Sequence, residues 1–237
     1  MARLSRIVIP NQPLHIMHRG NNRQDIFQSE EDMIRIKEDI EQSLAKSNCA
    51  LHAYVVMTNH LHLLITPEDK EDLTVFMQSM ANRYVRYFNA KYQRTGTIWE
   101  GRYKSCLIDS EQYLFTLYRY IEMNPIKANM VTALTDYQWS SYGHNALGQT
   151  DSLITEHALY KDLGSNTKER HTNYQKLFNR LKTTPKQEDQ ITEATMRGEV
   201  YGGEKFHRRI SQLISRATKL TSHGGDRKSE VYKNQVG

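Results

Sequence analysis

The chain has 237 residues, 38% hydrophobic and 25% charged, with a formal net charge of +5. That suits one domain of about 150 residues plus a smaller module. No apolar run reaches the roughly 18 residues that cross a bilayer, Met1-Ala2-Arg3-Leu4-Ser5-Arg6 lacks a secretory apolar core, and two cysteines, Cys49 and Cys106, exclude a disulfide framework or a cysteine-based zinc cluster, so a cytoplasmic protein is expected.

A first strand is predicted over residues 14–19 and stops at the turn signal Gly20-Asn21-Asn22. His18 shares a strand face with Ile16 and reads as core. A helix follows. Ser29 is its N-cap, Glu30, Glu31 and Asp32 suit the first turn, and Met33, Ile36, Ile40 and Leu44 recur at helical spacing. Residues 50–57 and 60–66 read as a hairpin joined at Thr58-Asn59 and ended by Pro67. In the second of these strands His60 and His62 point one way, and Leu61 and Leu63 the other. Two imidazoles side by side have the spacing to share a metal ion, or they form an ordinary surface or core pair.

A second long helix spans about 70–92, with Leu73, Phe76, Met77, Met80, Tyr84, Tyr87 and Phe88 on one broad face, broken by Thr95-Gly96-Thr97. A fourth strand fits 103–108. A third helix starts near Ser110 and ends before Pro125, which disfavours helix at the residue before it. The first six elements form an α+β, ferredoxin-like split βαβ unit: a four-stranded antiparallel sheet with two helices on one face. The third helix follows the fourth strand, and the histidine pair falls on a central strand. Residues 1–148 are assigned to this domain. Residues 149–237 are expected to form a basic, mostly helical extension, with a polar connection over 149–170 and helices near 174–181, 188–197 and 204–217. Ser222-His223-Gly224-Gly225-Asp226-Arg227-Lys228 is expected to be mobile.

Charge is uneven. Residues 202–237 hold eight Lys/Arg against three Asp/Glu, so the first 201 residues balance to zero. Residues 24–46 are acidic. Residues 77–108 are basic, with Arg83, Arg86, Lys91, Arg94, Arg102 and Lys104 against Glu100 alone. A basic stripe and a basic tail suit an anionic polymer. A solvated helix face and an unstructured end would look the same.

On the third helix Tyr120 and Asn124 are one turn apart and share a face. Combined with His60 and His62, the Asn124 amide oxygen makes two nitrogens and one oxygen around a divalent cation, with no charged ligand. A cation so held polarises a phosphodiester, and Tyr120 is placed to attack it.

His60-Leu61-His62 matches the histidine-hydrophobic-histidine (HUH) motif, and Tyr120-Ile121-Glu122-Met123-Asn124-Pro125 matches the tyrosine helix of single-tyrosine HUH transposases. Arg19-Gly20-Asn21-Asn22-Arg23, Trp99-Glu100-Gly101-Arg102-Tyr103-Lys104-Ser105, Asn124-Pro125-Ile126-Lys127-Ala128 and Trp139-Ser140-Ser141-Tyr142 resemble one branch, the REP-associated tyrosine transposases. The resemblance covers roughly residues 8–145. It implies cleavage and rejoining of single-stranded, hairpin-forming (REP-like) DNA through a 5′-phosphotyrosine. Tyr120 would be the nucleophile, and His60, His62 and Asn124 would hold Mg or Mn. Relatives often carry Gln at the position of Asn124 and His at that of Glu122, for which a supporting base role beyond the metal ligands is the expectation. The C-terminal extension suggests a monomer, although dimers occur among relatives.

Cationic grooves with stacking aromatics hold single strands. Arg23, Arg83, Arg86, Arg102 and Lys104 are the candidate phosphate contacts in the domain, and Lys205, Arg208 and Arg209 those in the extension. Two other readings stand beside the transposase: a hairpin-binding regulator that does no chemistry, and a zinc hydrolase using water.

Overall fold

Strand alternation sorts the apolar residues into two cores, one on each side of a sheet. The structure, a computed structural model, describes residues 5–220; the connector expected at 222–228 lies outside them. The strands are β1 (Leu14–Arg19), β2 (Cys49–Val56), β3 (His60–Pro67), β4 (Lys104–Ile108) and β5 (Val200–Tyr201), in the order β2-β3-β1-β4-β5. The first four are antiparallel and have the order of the split unit, with β1 and β3 in the middle. The fifth strand was not foreseen. It is two residues long, too short for any alternation to show, and it pairs parallel to β4.

Two helices, α1 (Glu30–Leu44) and α2 (Lys70–Lys91), cover one face. The first opens with a capping box between Ser29 and Asp32. Their apolar stripes meet Leu14, Ile16, Leu61, Leu63 and Ile65 in a core that includes Phe76, Met80, Tyr84 and Phe88. The acidic segment and the basic stripe, read separately in the sequence, lie against each other here. Arg83 and Arg35 both pair with Asp39, whose side chain is fully buried, and Lys91 pairs with Glu31 and Asp32.

The opposite face is covered by α3 (Ser110–Glu122), which lays Leu114, Leu117, Tyr118 and Ile121 on Ala53, Val55, Leu64, Cys106 and Ile108. After Met123 the chain makes a single turn, α4 (Asn124–Lys127), with Pro125 at its start, where a missing N–H costs nothing. Beyond α5 (Tyr142–Leu147) and α6 (Ala158–Lys161) come α7 (Thr167–Arg180) and α8 (Pro185–Arg197). From α7 come Tyr174 and Phe178, and from α8 Ile191 and Ala194; all four join the α3 core. Residues on either side of position 148 therefore share this second core, and helices cover both faces where the split unit alone has them on one. The physical reason is that Ala53, Val55, Leu64, Cys106 and Ile108 make an apolar patch on the second side, and α3 by itself leaves part of it bare. Helix α9 (Glu204–Leu213) then packs Phe206 and Ile210 into the first core. No described helix is long and apolar enough to cross a membrane.

Candidate functional site

The second face carries the polar residues. In β3 the pattern that sends Leu61 and Leu63 into the first core turns His60 and His62 toward α3. Their rings lie 5.0 Å apart, centroid to centroid, at 86°. The β2–β3 turn fixes the first of them: the Asn59 Oδ1 accepts from His60 Nδ1 at 2.6 Å, while the Asn59 Nδ2 donates to the Arg23 carbonyl. An amide oxygen only accepts, so His60 carries its proton on Nδ1 and presents a bare Nε2. The Gly20 loop supports this turn from below; Gly20 N donates to the Asn59 carbonyl at 2.8 Å. A side chain at Gly20 would collide with the Gln24 carbonyl 2.4 Å away, which explains a glycine there.

Helix α3 brings Tyr120 over the pair. Its ring centre is 5.8 Å from that of His62, edge to face. Its hydroxyl lies 3.1 Å from Thr192 Oγ1 of α8. Thr192 spends its own proton on the Glu188 carbonyl, so Tyr120 is the donor. The Lys127 ammonium lies 4.9 Å from the Tyr120 ring centre and pairs with Glu188. Burial pushes the Tyr120 phenol above its ordinary value, so an unassisted phenolate is disfavoured. Burial likewise holds His60 at about 4 and His62 well below the ordinary imidazole value. Both rings are neutral at physiological pH, the form that binds metal.

Asn124 sits one turn beyond the tyrosine. Its Nδ2 donates to the carbonyls of Tyr120 and Ile121, closing the C-terminal end of α3. Both bonds leave from the nitrogen, so Oδ1 keeps its acceptor capacity. Glu122 is not part of this group. Two residues on from Tyr120 it points the other way around the helix, fully buried, and its carboxylate accepts from Ser141, Asn145 and Tyr174. Burial raises it to about 7. It ties α3 to α5 and α7, a supporting role in the fold in place of the base role expected at the tyrosine.

The candidate phosphate contacts divide. Arg83 and Arg86 ride on α2, across the sheet from the histidines, and Arg83 is held by Asp39. Arg23 is exposed at the loop that supports Asn59. Arg102 and Lys104 line a cavity of about 270 Å³ together with Arg6, Arg197 and Arg216. Lys205, Arg208 and Arg209 are exposed on α9.

Sequence reading missed four residues here: Asn59, His15, Thr192 and Thr195. His15 Nε2 lies 2.8 Å from His62 Nδ1, and His15 Nδ1 lies 2.8 Å from Thr195 Oγ1. A signal for His15 existed, since strand parity puts it opposite Leu14 and Ile16, but using it requires the β1–β3 register, in which Met17 faces His62. The two threonines have no signal in a polar helix far along the chain.

A metal would suit this site. Two neutral imidazoles stand side by side, His60 offers a bare nitrogen, and one helical turn beyond Tyr120 the Asn124 carboxamide oxygen has no hydrogen-bond donor. Among the described residues no group of three or more His, Cys, Asp or Glu is arranged to hold one, which leaves the zinc hydrolase without a ligand set.

Residues 9–124 match the family model described as transposase, IS200-like. Over this segment, just under half of the chain, the sequence is similar to the IS200-like transposases. The chain is similar in fold to a REP-associated tyrosine transposase solved bound to a REP hairpin: TM-score 0.53, 17% identity, covering 67% of this chain and 96% of that one. Lower similarity is found to a protein of Deinococcus radiodurans R1 described as a transposase (TM-score 0.36, 14% identity, 49% and 95% covered). A bacterial tRNA(His) guanylyltransferase-like protein in complex with GTP gives a TM-score of 0.38 at 12% identity, with 55% and 70% covered. No curated protein sequence matches the chain.

Proposed function

We propose that this chain is a transposase that cleaves and rejoins single-stranded DNA of hairpin-forming sequence through Tyr120. The observation that carries the reading is the meeting, within one chain, of the tyrosine of α3 with the histidine pair of β3, 5.8 Å between ring centres. The fold likeness to a transposase solved on a REP hairpin supports a hairpin substrate.

The chemistry balances on the chain's own residues. The Tyr120 oxygen forms a bond to phosphorus, the bond to the 3′ oxygen of the upstream strand breaks, and the 5′ phosphate stays on the tyrosine. Rejoining reverses the step, because the phosphotyrosine keeps the phosphodiester's energy. Tyr120 must first leave Thr192 and lose its proton to solvent, and the departing 3′ oxygen takes one up from solvent; the Lys127 ammonium over the ring favours the phenolate. His60 and His62, with Asn124 Oδ1, would hold Mg or Mn, which when bound supplies Lewis-acid polarisation and in-line orientation of the phosphodiester. Arg102 and Lys104, beside Arg6 and Arg216, would hold backbone phosphate. Because nucleophile and histidines come from the same chain, a monomer is sufficient.

The test is a denaturing gel on protein incubated with a single-stranded hairpin oligonucleotide and Mn. Wild type should form a covalent adduct, lost in EDTA. Tyr120→Phe should form none and keep its binding. An adduct that persists in the Phe variant would move the nucleophile to Tyr113 or Tyr118. Binding with no adduct in wild type would favour the non-catalytic regulator.

A further inference from the structure

The buried histidine next to the pair has a direction built into its hydrogen bonds. Thr195 Oγ1 lies 2.7 Å from the Ile191 carbonyl, one turn back along α8, and must donate its single proton there. Toward every other neighbour that oxygen can only accept. His15 Nδ1, 2.8 Å away, is therefore the donor and carries the His15 proton. His15 Nε2 is left bare and must accept across its 2.8 Å contact, so the proton in that contact belongs to His62 Nδ1. The Nε2 of His62 is then free of hydrogen. Asn59 imposes the same tautomer on His60 by a separate route. Two unrelated supports thus turn two imidazoles to the same electronic form.

We propose that His15 is a positioning residue: the chain Thr195–His15–His62 fixes the tautomer and orientation of His62, so that helix α8 completes the metal site from outside the family-matched segment. The proposal rests on the reading that His60 and His62 hold a divalent cation. His15 itself is no ligand. Its two nitrogens are both engaged, and it is fully buried beneath His62, whose ring it parallels at 5.0 Å and 10°. Imidazole ligands held by an outer partner through the second nitrogen bind metal more tightly, by about 10–100-fold, than unsupported ones. Neither Thr195 nor His15 needs to touch DNA for this. Cys106 Sγ, 3.2 Å from Thr195 Oγ1, adds a weak donor that the same oxygen accepts, leaving the direction of the chain unchanged.

The experiment uses the full chain at neutral pH with Mn as probe. Titration calorimetry on wild type, His15→Phe, Thr195→Val and Thr195→Ser measures affinity, and nitrogen-15 NMR of the imidazoles reads the tautomer without metal. Wild type should show His62 protonated on Nδ1. In His15→Phe that signature should move toward the Nε2 form, and Mn affinity should fall about 10–100-fold. Thr195→Val should weaken Mn several-fold, and Thr195→Ser should restore it, a rescue that a packing role alone would not produce. The threonine pair keeps the test decisive if His15→Phe fails to fold. Unchanged tautomer and unchanged affinity in His15→Phe or Thr195→Val would overturn the proposal. If wild type binds no Mn, the metal reading falls, and the tautomer of His62 still decides whether the chain of hydrogen bonds acts.

Discussion

The two faces of the sheet use the same strands for opposite ends. Toward α1 and α2 the strands present Leu14, Ile16, Leu61, Leu63 and Ile65, and the charges above them are paired off between the helices. Toward α3 and α8 the same strands present His15, His60 and His62 beneath a tyrosine. Alternation along one strand lets a rigid apolar layer back a reactive one, each residue separated from its opposite by a single position. Chemistry on the second face depends on packing supplied by the first.

Acid should break the comparison hardest. Burial holds His15 at about 3, His18, His52 and His60 at about 4, and His62 well below its ordinary value. A histidine depressed in the folded state contributes stability that is complete above about pH 6.5 and lost as the pH falls toward 4. Each loses its stabilising contribution as the pH falls below about 6.5, and all five act in the same direction. Glu122, raised to about 7, runs the other way: its contribution is present at low pH and fades as the pH rises through 7. Denaturant melts across pH 7.5 to 5 should therefore show stability collapsing toward acid. A flat profile would mean that the histidines are solvated.

On the opposite face, Leu63→Ala should lose about 3 kcal/mol, and equally at pH 7.5 and 6, since the substitution removes no titratable group. His62→Gln should behave differently, with its acid midpoint shifting down as one buried base is removed. If both variants showed the same pH dependence, the two faces would not be energetically distinct.

These contrasts also show what was readable beforehand. His60, His62 and Tyr120 were legible because strand and helix periods are short-range rules, and the fold supplied only the meeting. The pairing of Arg83 was not legible because its partner, Asp39, is 44 residues away on another helix. Thr195 was invisible because its meaning lies in a contact with a histidine 180 residues earlier. The strand β5 was invisible because two residues have no period.

The basic residues give a finer test. Arg83→Ala should cost about 1–2 kcal/mol of stability, because Arg35 still holds Asp39, and should leave DNA binding unchanged. Arg102→Ala should leave stability alone, weaken hairpin binding, and reduce the slope of log affinity against log salt by about 1. An equal effect of the two on binding would place DNA across both faces. Smallest of all, Thr192→Val removes a single hydrogen bond that holds the Tyr120 hydroxyl, about 1 kcal/mol, and should raise the initial rate of adduct formation a few-fold. A fall in that rate would instead make Thr192 part of the reaction.

The placement of α8 also has a consequence in time. A ribosome releases the chain from its N-terminus, and His15 emerges 180 residues ahead of Thr195. At about 5–20 residues per second that is an interval of roughly ten to forty seconds. Within it β2, β3, β4 and the tyrosine helix are synthesised, but the support for His62 does not yet exist. The proposed support for His62 would therefore be absent until residue 195 had been translated, and a product truncated before α8 would keep His60, His62 and Tyr120 without it.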